Sequence, residues 1–202
     1  MPEKLDGATR LFPIIGDPIK FVKSPQQLTR GFEARSYNGL CLPMQVAKGD
    51  LEPVMQALAL TGNVDGLLVT TPHKFSAFAH CSTSSDTARL LGCVSVMRRN
   101  ADGTWHGDML DGLAFVKAQT DHGARVKDGR ALMVGAGAAG SAIAIALLNA
   151  GVRELIISDA EESRSSHLKD LTSGIGQRPC AGRPGGSVRM HPGIQRDSVG
   201  IR

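Results

Sequence analysis

Gly135, Gly137 and Gly140 interrupt the stretch RALMVGAGAAGSAIAIALLNAGVRELIISD, residues 130–159. An apolar run of strand length ends at the first glycine, and an apolar run of helix length follows the third. A strand, a G-x-G-x-x-G turn and a helix within about thirty residues form the start of a dinucleotide-binding βαβ unit. The first glycine permits a tight turn, the second lets the backbone approach a pyrophosphate, and the third lets helix and strand pack closely. The helix N-terminus offers free N–H groups and partial positive charge to the phosphates. Gly135, Ala136, Gly137, Ala138, Ala139 and Gly140 are therefore the candidate cofactor-binding turn; the alternative is a glycine-rich face for helix packing. Asp159 ends the second strand, where a carboxylate accepts from the adenine ribose hydroxyls and repels a 2′-phosphate. That position favours NAD. Arg164, five residues on, keeps NADP open, and Asp159 could instead cap the helix that follows.

Upstream, strand-like runs alternate with helical ones. RLFPIIG (10–16), GLCLPMQV (39–46) and VDGLLVTT (64–71) read as strands, the third apolar on both faces as in a central parallel strand. QQLTRGFEAR (26–35) and DLEPVMQALALTG (50–62) read as helices, the second opened by Asp50 and closed by Gly62. SSDTARLLG is a capped helix, CVSVMRR and TWHGD are short strands, and a helix runs from Asp111 to His122. This alternation predicts an α/β fold with right-handed crossovers. Residues 1–120 are expected to form an N-terminal α/β substrate-binding domain, and 121–176 an incomplete Rossmann-type dinucleotide-binding domain. Residues 177–202, rich in Gly, Arg and Pro, read as an irregular tail with no strand.

The net charge of +4 comes from interspersed lysines and arginines, with no basic block, and only 4% of residues are aromatic. That argues against a nucleic-acid partner. Cys41, Cys81, Cys93 and Cys180 form no C-x-x-C pair and read as reduced, mostly buried thiols. No metal site is expected. No apolar run approaches membrane-spanning length, and the N-terminus lacks a signal-peptide core, so the expected compartment is the cytosol. The sequence does not separate a monomer from a homodimer.

The third strand ends in LLVTTPHKFSAF, residues 67–78, which delivers Lys74 to a strand tip. Ligands of open α/β sheets bind outside the carboxyl ends of the strands, so the lysine is expected to face a crevice beside Thr70 and Thr71. Asp111, opening a helix in HGDMLDG, supplies a carboxylate. A Lys–Asp pair beside a nicotinamide suits hydride transfer to a ketone, which needs one group to give or take the hydroxyl proton. The alternatives are an exposed lysine and a capping aspartate.

Five segments in order, GDPIKFVKSP, VTTPHK, GCVSV, GDMLDGLAF and the nucleotide glycines, resemble the shikimate and quinate dehydrogenases. The resemblance covers residues 10 to about 175. It implies that Lys74 and Asp111 are the catalytic pair and that Ser24, Thr70 and Ser95 lie in the substrate pocket. The implied reaction is reversible reduction of 3-dehydroshikimate, 3-dehydroquinate or a related cyclic keto acid with NAD(P)H, and the implied partner is a small cyclic hydroxy acid. Departures cluster in the pocket motifs: Val22 replaces a serine, Leu68 and Ser95 replace asparagines, and Met109 and Leu110 replace an Asn-Thr pair. Each lost polar partner weakens a site built for hydroxyls, so the chain resembles a divergent branch of the family. An inactive remnant that still binds a small acid or nucleotide is the alternative function. The family's later Rossmann strands and Asn-Ala-Thr-Pro motif do not follow. IQRDSVGIR (194–202), back-translated and read one base later, permits a similar motif, which suggests a frameshift between Gln177 and Gly185.

Overall fold

The structure, a computed structural model, describes residues 5–175 and the strands Ser187–Met190 and Val199–Ile201. It is α/β throughout and divides into two compact units between Met109 and Leu110.

In the first unit, β1 (Arg10–Gly16), α1 (Ser24–Glu33), β2 (Gly39–Gln45), α2 (Leu51–Leu60) and β3 (Gly66–Val69) follow the expected order. Then come α3 (Lys74–Phe78), β4 (Thr83–Ser84), α4 (Asp86–Leu91), β5 (Val96–Arg99) and β6 (Trp105–Asp108). The sheet order is β2-β1-β3-β5-β6-β4. β1 runs parallel to β2 and β3, whereas β5 is antiparallel to β3 and to β6. The sheet is therefore mixed, not all parallel. A strand buried on both faces has the same apolar composition in either arrangement, so the pattern of β3 did not reveal its antiparallel neighbour. Two antiparallel steps leave β6 running in the same direction as β3.

The core comprises Ile14, Ile15, Leu67, Val69, Met55, Met97 and Trp105, all nearly inaccessible. Each such side chain contributes on the order of 1.5–3 kcal/mol on burial. Arg99 fastens the opposite edge: its guanidinium donates to the carbonyls of Val64 (2.8 Å), Ala59 (2.9 Å) and Leu58 (2.9 Å) and lies over the Trp105 ring. Ser85 caps α4 as expected, accepting from the Ala88 N–H at 3.2 Å, and Gly92 ends that helix at φ +61°. Asp50 precedes α2 but makes no side-chain cap, and the helix stops at Thr61, one residue before the expected glycine. Burial pushes the Cys41 and Cys81 thiols up to about 11. They stay protonated and unreactive at neutral pH.

The second unit contains α5 (Asp111–Asp121), β7 (Arg130–Val134), α6 (Ala138–Asn149), β8 (Glu154–Ser158), α7 (Glu162–Thr172), β9 (Ser187–Met190) and β10 (Val199–Ile201). β7, β8 and β9 are parallel, and β10 joins β7 antiparallel, in the order β10-β7-β8-β9. Leu147, Met133, Leu155, Ile157 and Leu168 form its core.

Two expectations are corrected here. The division falls before α5 and not at residue 120, because that helix packs within the second unit. Phe115 and Val116 lie against its core, and a Cβ on Gly112 would stand 2.1 Å from the Ala142 carbonyl oxygen on α6. Only a glycine allows helices to approach that closely. The tail is also not strandless: β9 and β10 occupy both edges of the second sheet. Exposed edges pair readily with any short segment that can extend, and SVRM and VGI are short enough to escape a periodicity reading. The proposed frameshift interval, Gln177 to Gly185, lies outside the described residues.

Candidate functional site

Because β1, β2 and β3 are parallel, their carboxyl ends share one edge of the first sheet. Backbone hydrogen bonds weave that edge together. Thr70 N donates to Ile15 O (2.9 Å), Asp17 N to Thr71 O (3.0 Å), and Val46 N to Gly16 O (3.1 Å). Gly16 is small of necessity, since a Cβ there would come within 2.3 Å of Thr70 Cγ2.

Lys74 does not ride on the strand tip itself. Thr70, Thr71, Pro72 and His73 intervene, and Lys74 is the first residue of the five-residue α3. Its carbonyl accepts from Val94 N at 2.9 Å, which ties the turn to the segment leading into β5. His73 was not singled out from the sequence. It is 1% exposed, with Nε2 2.7 Å from the Val46 carbonyl oxygen. A carbonyl can only accept, so Nε2 carries the proton and pins the turn to the end of β2. The available signal was a histidine between Pro72 and Lys74 in an otherwise apolar, buried setting.

Ser95 is 7% exposed, and its backbone bridges two strand ends: Val69 N donates to Ser95 O (2.8 Å), and Ser95 N donates to Asp108 O (2.9 Å). Thr70, Lys74 and Ser95 thus lie on neighbouring segments of one edge. Ser24 begins α1, with Pro25 in the first turn, where a missing N–H costs nothing. β6 runs parallel to β3, so the chain leaves the first unit at this edge too. Met109, at a position where the family motif is polar, is 1% exposed and belongs to the core. Asp111 opens α5 in the second unit.

In the second unit the glycine turn joins β7 to α6. Gly135 has φ +105°, a conformation that side chains resist, and its N–H donates to Ser158 O at 2.7 Å. A Cβ on Gly140 would stand 2.0 Å from the Gly135 oxygen, whereas nothing lies within 4 Å of one on Gly137. The third glycine thus permits helix–strand packing, and the second leaves open space before the first turn of α6. No side chain caps that helix. The turn fits a phosphate-bearing ligand on these grounds. Ala136 is buried at 7% exposure, and Ala138 and Ala139 form the first turn of the helix.

Asp159 does more than end β8. One carboxylate oxygen accepts from Ala136 N at 2.6 Å and the other from Glu161 N at 2.8 Å. It therefore braces the glycine turn across the sheet, a role sequence spacing did not disclose. Arg164 pairs with Glu161 at 2.8 Å. Among the described residues no group of acidic, histidine or cysteine side chains could hold a metal ion.

Residues 14–97 match the shikimate dehydrogenase substrate binding domain. A relative from Rubrobacter xylanophilus named shikimate dehydrogenase (NADP(+)) is 34% identical over 175 residues, covering 87% of this chain and 61% of that protein. Another of the same name from Roseobacter denitrificans is 36% identical over 77% of this chain and 57% of its own. The structure of shikimate 5-dehydrogenase from Listeria monocytogenes, in complex with shikimate and NAD, superposes with a TM-score of 0.80 at 22% identity, over 95% of this chain and 64% of that one. An α/β chain with a substrate-binding unit and a partial Rossmann-like unit is the class so defined. The chain is similar to the shikimate dehydrogenases over most of its own length, and residues 14–97 match their substrate binding domain. It spans about three fifths of the length of these relatives, 61% and 57% for the first two. Their names specify NADP(+), which does not support the preference for NAD drawn from Asp159. No helix among the described residues is long and apolar enough to cross a membrane.

Proposed function

We propose that the chain is an NAD(P)-dependent oxidoreductase of the shikimate dehydrogenase type, interconverting a cyclic hydroxy acid such as shikimate with its 3-keto form. The observation that carries this reading is the shared edge of β1, β2 and β3, where Thr70 and Lys74 follow β3 within a family match spanning residues 14–97. Lys74 and Asp111 are the catalytic residues of this reading. In the oxidative direction Lys74 takes the hydroxyl proton. In the reductive direction the same proton returns to the carbonyl oxygen. Thr70, Ser95 and Ser24 hold the ring substituents. A nicotinamide dinucleotide supplies the hydride acceptor or donor, and the turn from Gly135 to Gly140 holds its pyrophosphate. The test is purified protein assayed for NAD+- and NADP+-linked oxidation of shikimate and quinate. Absence of turnover with both acids and both cofactors in a folded preparation refutes the proposal.

Cofactor choice rests on the end of β8. Asp159 and Glu161 place negative charge where a 2′-phosphate would lie, and Arg164 offers the opposing charge. Asp159→Ser is expected to weaken NAD binding and raise the NADP-to-NAD affinity ratio, more strongly at low ionic strength where repulsion is less screened. Because the serine is too short to keep the 2.6 Å bond to Ala136 N, affinity for both dinucleotides should fall somewhat as the turn loosens. Fluorescence titration of the reduced cofactors reads both effects. A parent that already prefers NADP, with the ratio unmoved in the variant, shows that Arg164 dominates.

A further inference from the structure

The ends of β1, β2 and β3 are joined in a closed circuit. Ile15 O accepts from Thr70 N at 2.9 Å, Thr70 O from His73 N at 2.9 Å, Val46 O from His73 Nε2 at 2.7 Å, and Gly16 O from Val46 N at 3.1 Å. Ile15 and Gly16 are consecutive, so the ring closes on itself. Three of its four hydrogen bonds join backbone to backbone, and the His73 imidazole supplies the fourth. Ile15, Gly16, Val46 and His73 are all buried, where a hydrogen bond is electrostatically stronger than in water. Lys74 follows that imidazole directly and is the first residue of α3. The helix has little local support: it has five residues, His73 precedes it without a side-chain cap, and no acidic residue stands in its first turn. So short a helix does not hold its own geometry. The Lys74 carbonyl accepts from Val94 N at 2.9 Å, which holds the residue from one side. The imidazole holds it from the other.

We propose that His73 is a positioning residue for Lys74: its bond to Val46 sets where the lysine stands at the strand edge, and so how its amine meets the reacting hydroxyl. The inference rests on the proposed function for its kinetic consequence, and on the hydrogen-bonded ring alone for its structural one. A catalytic group displaced by about 1 Å loses up to roughly 100-fold in rate. His73 acts through Lys74 and needs no contact with the substrate.

The test uses the whole chain with His73→Leu and His73→Gln. The two replacements are close in size, but only glutamine carries an N–H that reaches as far as Nε2. His73→Leu is expected to lower kcat for shikimate oxidation about ten-fold or more, with KM within a few-fold of the parent, and His73→Gln to restore most of it. Should the leucine variant fail to fold, His73→Asn, polar but too short to reach Val46, takes its place. Amide hydrogen exchange gives a second readout, independent of turnover. Val94 N and Ala77 N, bonded to the carbonyls of Lys74 and His73, are expected to exchange about ten-fold faster in the leucine variant and at the parent's rate in the glutamine one. Arg99 N, bonded to Asp65 O at the far end of the sheet, should be unchanged in both. Parental kcat in His73→Leu, or equal losses in both variants, overturns the proposal. If the parent turns over neither shikimate nor quinate, the proposed function fails by itself. Unchanged exchange at Val94 and Ala77 then overturns the positioning role as well, whereas faster exchange there sustains it.

Discussion

Lys74→Ala is expected to lower kcat for shikimate oxidation by about 10²–10⁴-fold while leaving KM within a few-fold of the parent. That range is what a positioned proton-transfer group contributes. Several features make a lysine at this point suited to the role. The turn from Thr70 to His73 is bonded to three neighbours: to β1 through Thr70 N and Ile15 O, to the β1–α1 loop through Thr71 O and Asp17 N, and to β2 through His73 and Val46. A side chain mounted on so constrained a turn loses little further freedom in reaching one atom of a ligand, which favours the transition state over mere binding. Lys74 is only partly exposed, and its alanine variant leaves every one of those backbone bonds in place. A fall in kcat with an unchanged melting temperature therefore reports chemistry and not folding. A rise in KM with kcat unchanged would instead mean that Lys74 contributes uniform binding, and the proton would have to be handled elsewhere. Lys74→Arg separates charge from proton transfer: arginine keeps the cation but does not give up its proton, so it should be nearly as impaired as alanine.

What the sequence disclosed and what it hid differ in physical range. The glycine turn was legible because each of its requirements is local: φ +105° at Gly135, open space at Gly137 and close packing at Gly140 all act within six residues. The cap of α4 and the start of α5 at Asp111 were legible for the same reason. Long-range pairings were not. The antiparallel neighbour of β3 and the carboxylate of Asp159 reaching back to Ala136 depend on chain direction and sheet register, which composition does not encode. The unit boundary escaped because it depends on which partner α5 buries, and that is settled by one glycine meeting one carbonyl. β9 and β10 escaped because three or four residues carry no period worth counting. Lys74 follows β3 by five residues and sits on a short helix of its own, which the strand pattern does not foretell. Five residues are too few for an amphipathic pattern.

Gly140→Ala is expected to lose stability and dinucleotide affinity together and Gly137→Ala affinity alone, and the contrast tests whether the turn is a cofactor site or only a packing device. At Gly140 the new Cβ would stand 2.0 Å from the Gly135 oxygen. That oxygen cannot swing aside freely, because Gly135 N is held by Ser158 O at 2.7 Å and its φ is already +105°. Either the turn deforms or α6 lifts from β7, with Met133 directly below. Overpacking of this kind costs about 1–3 kcal/mol, or roughly 4–8 °C in melting temperature per kcal/mol for a unit of this size. Dinucleotide affinity should fall with it. At Gly137 the backbone is at φ −76°, open to any residue, and an added Cβ meets nothing within 4 Å. Its stability should be unchanged, yet the methyl would occupy the space a pyrophosphate needs against the first turn of α6. Dinucleotide affinity should fall on the order of ten-fold, equivalent to 1.4 kcal/mol. Thermal denaturation paired with cofactor titration separates the two variants. If Gly137→Ala binds NAD(P)H as tightly as the parent, the turn serves α6 packing alone, and the dinucleotide must be sought elsewhere in the chain.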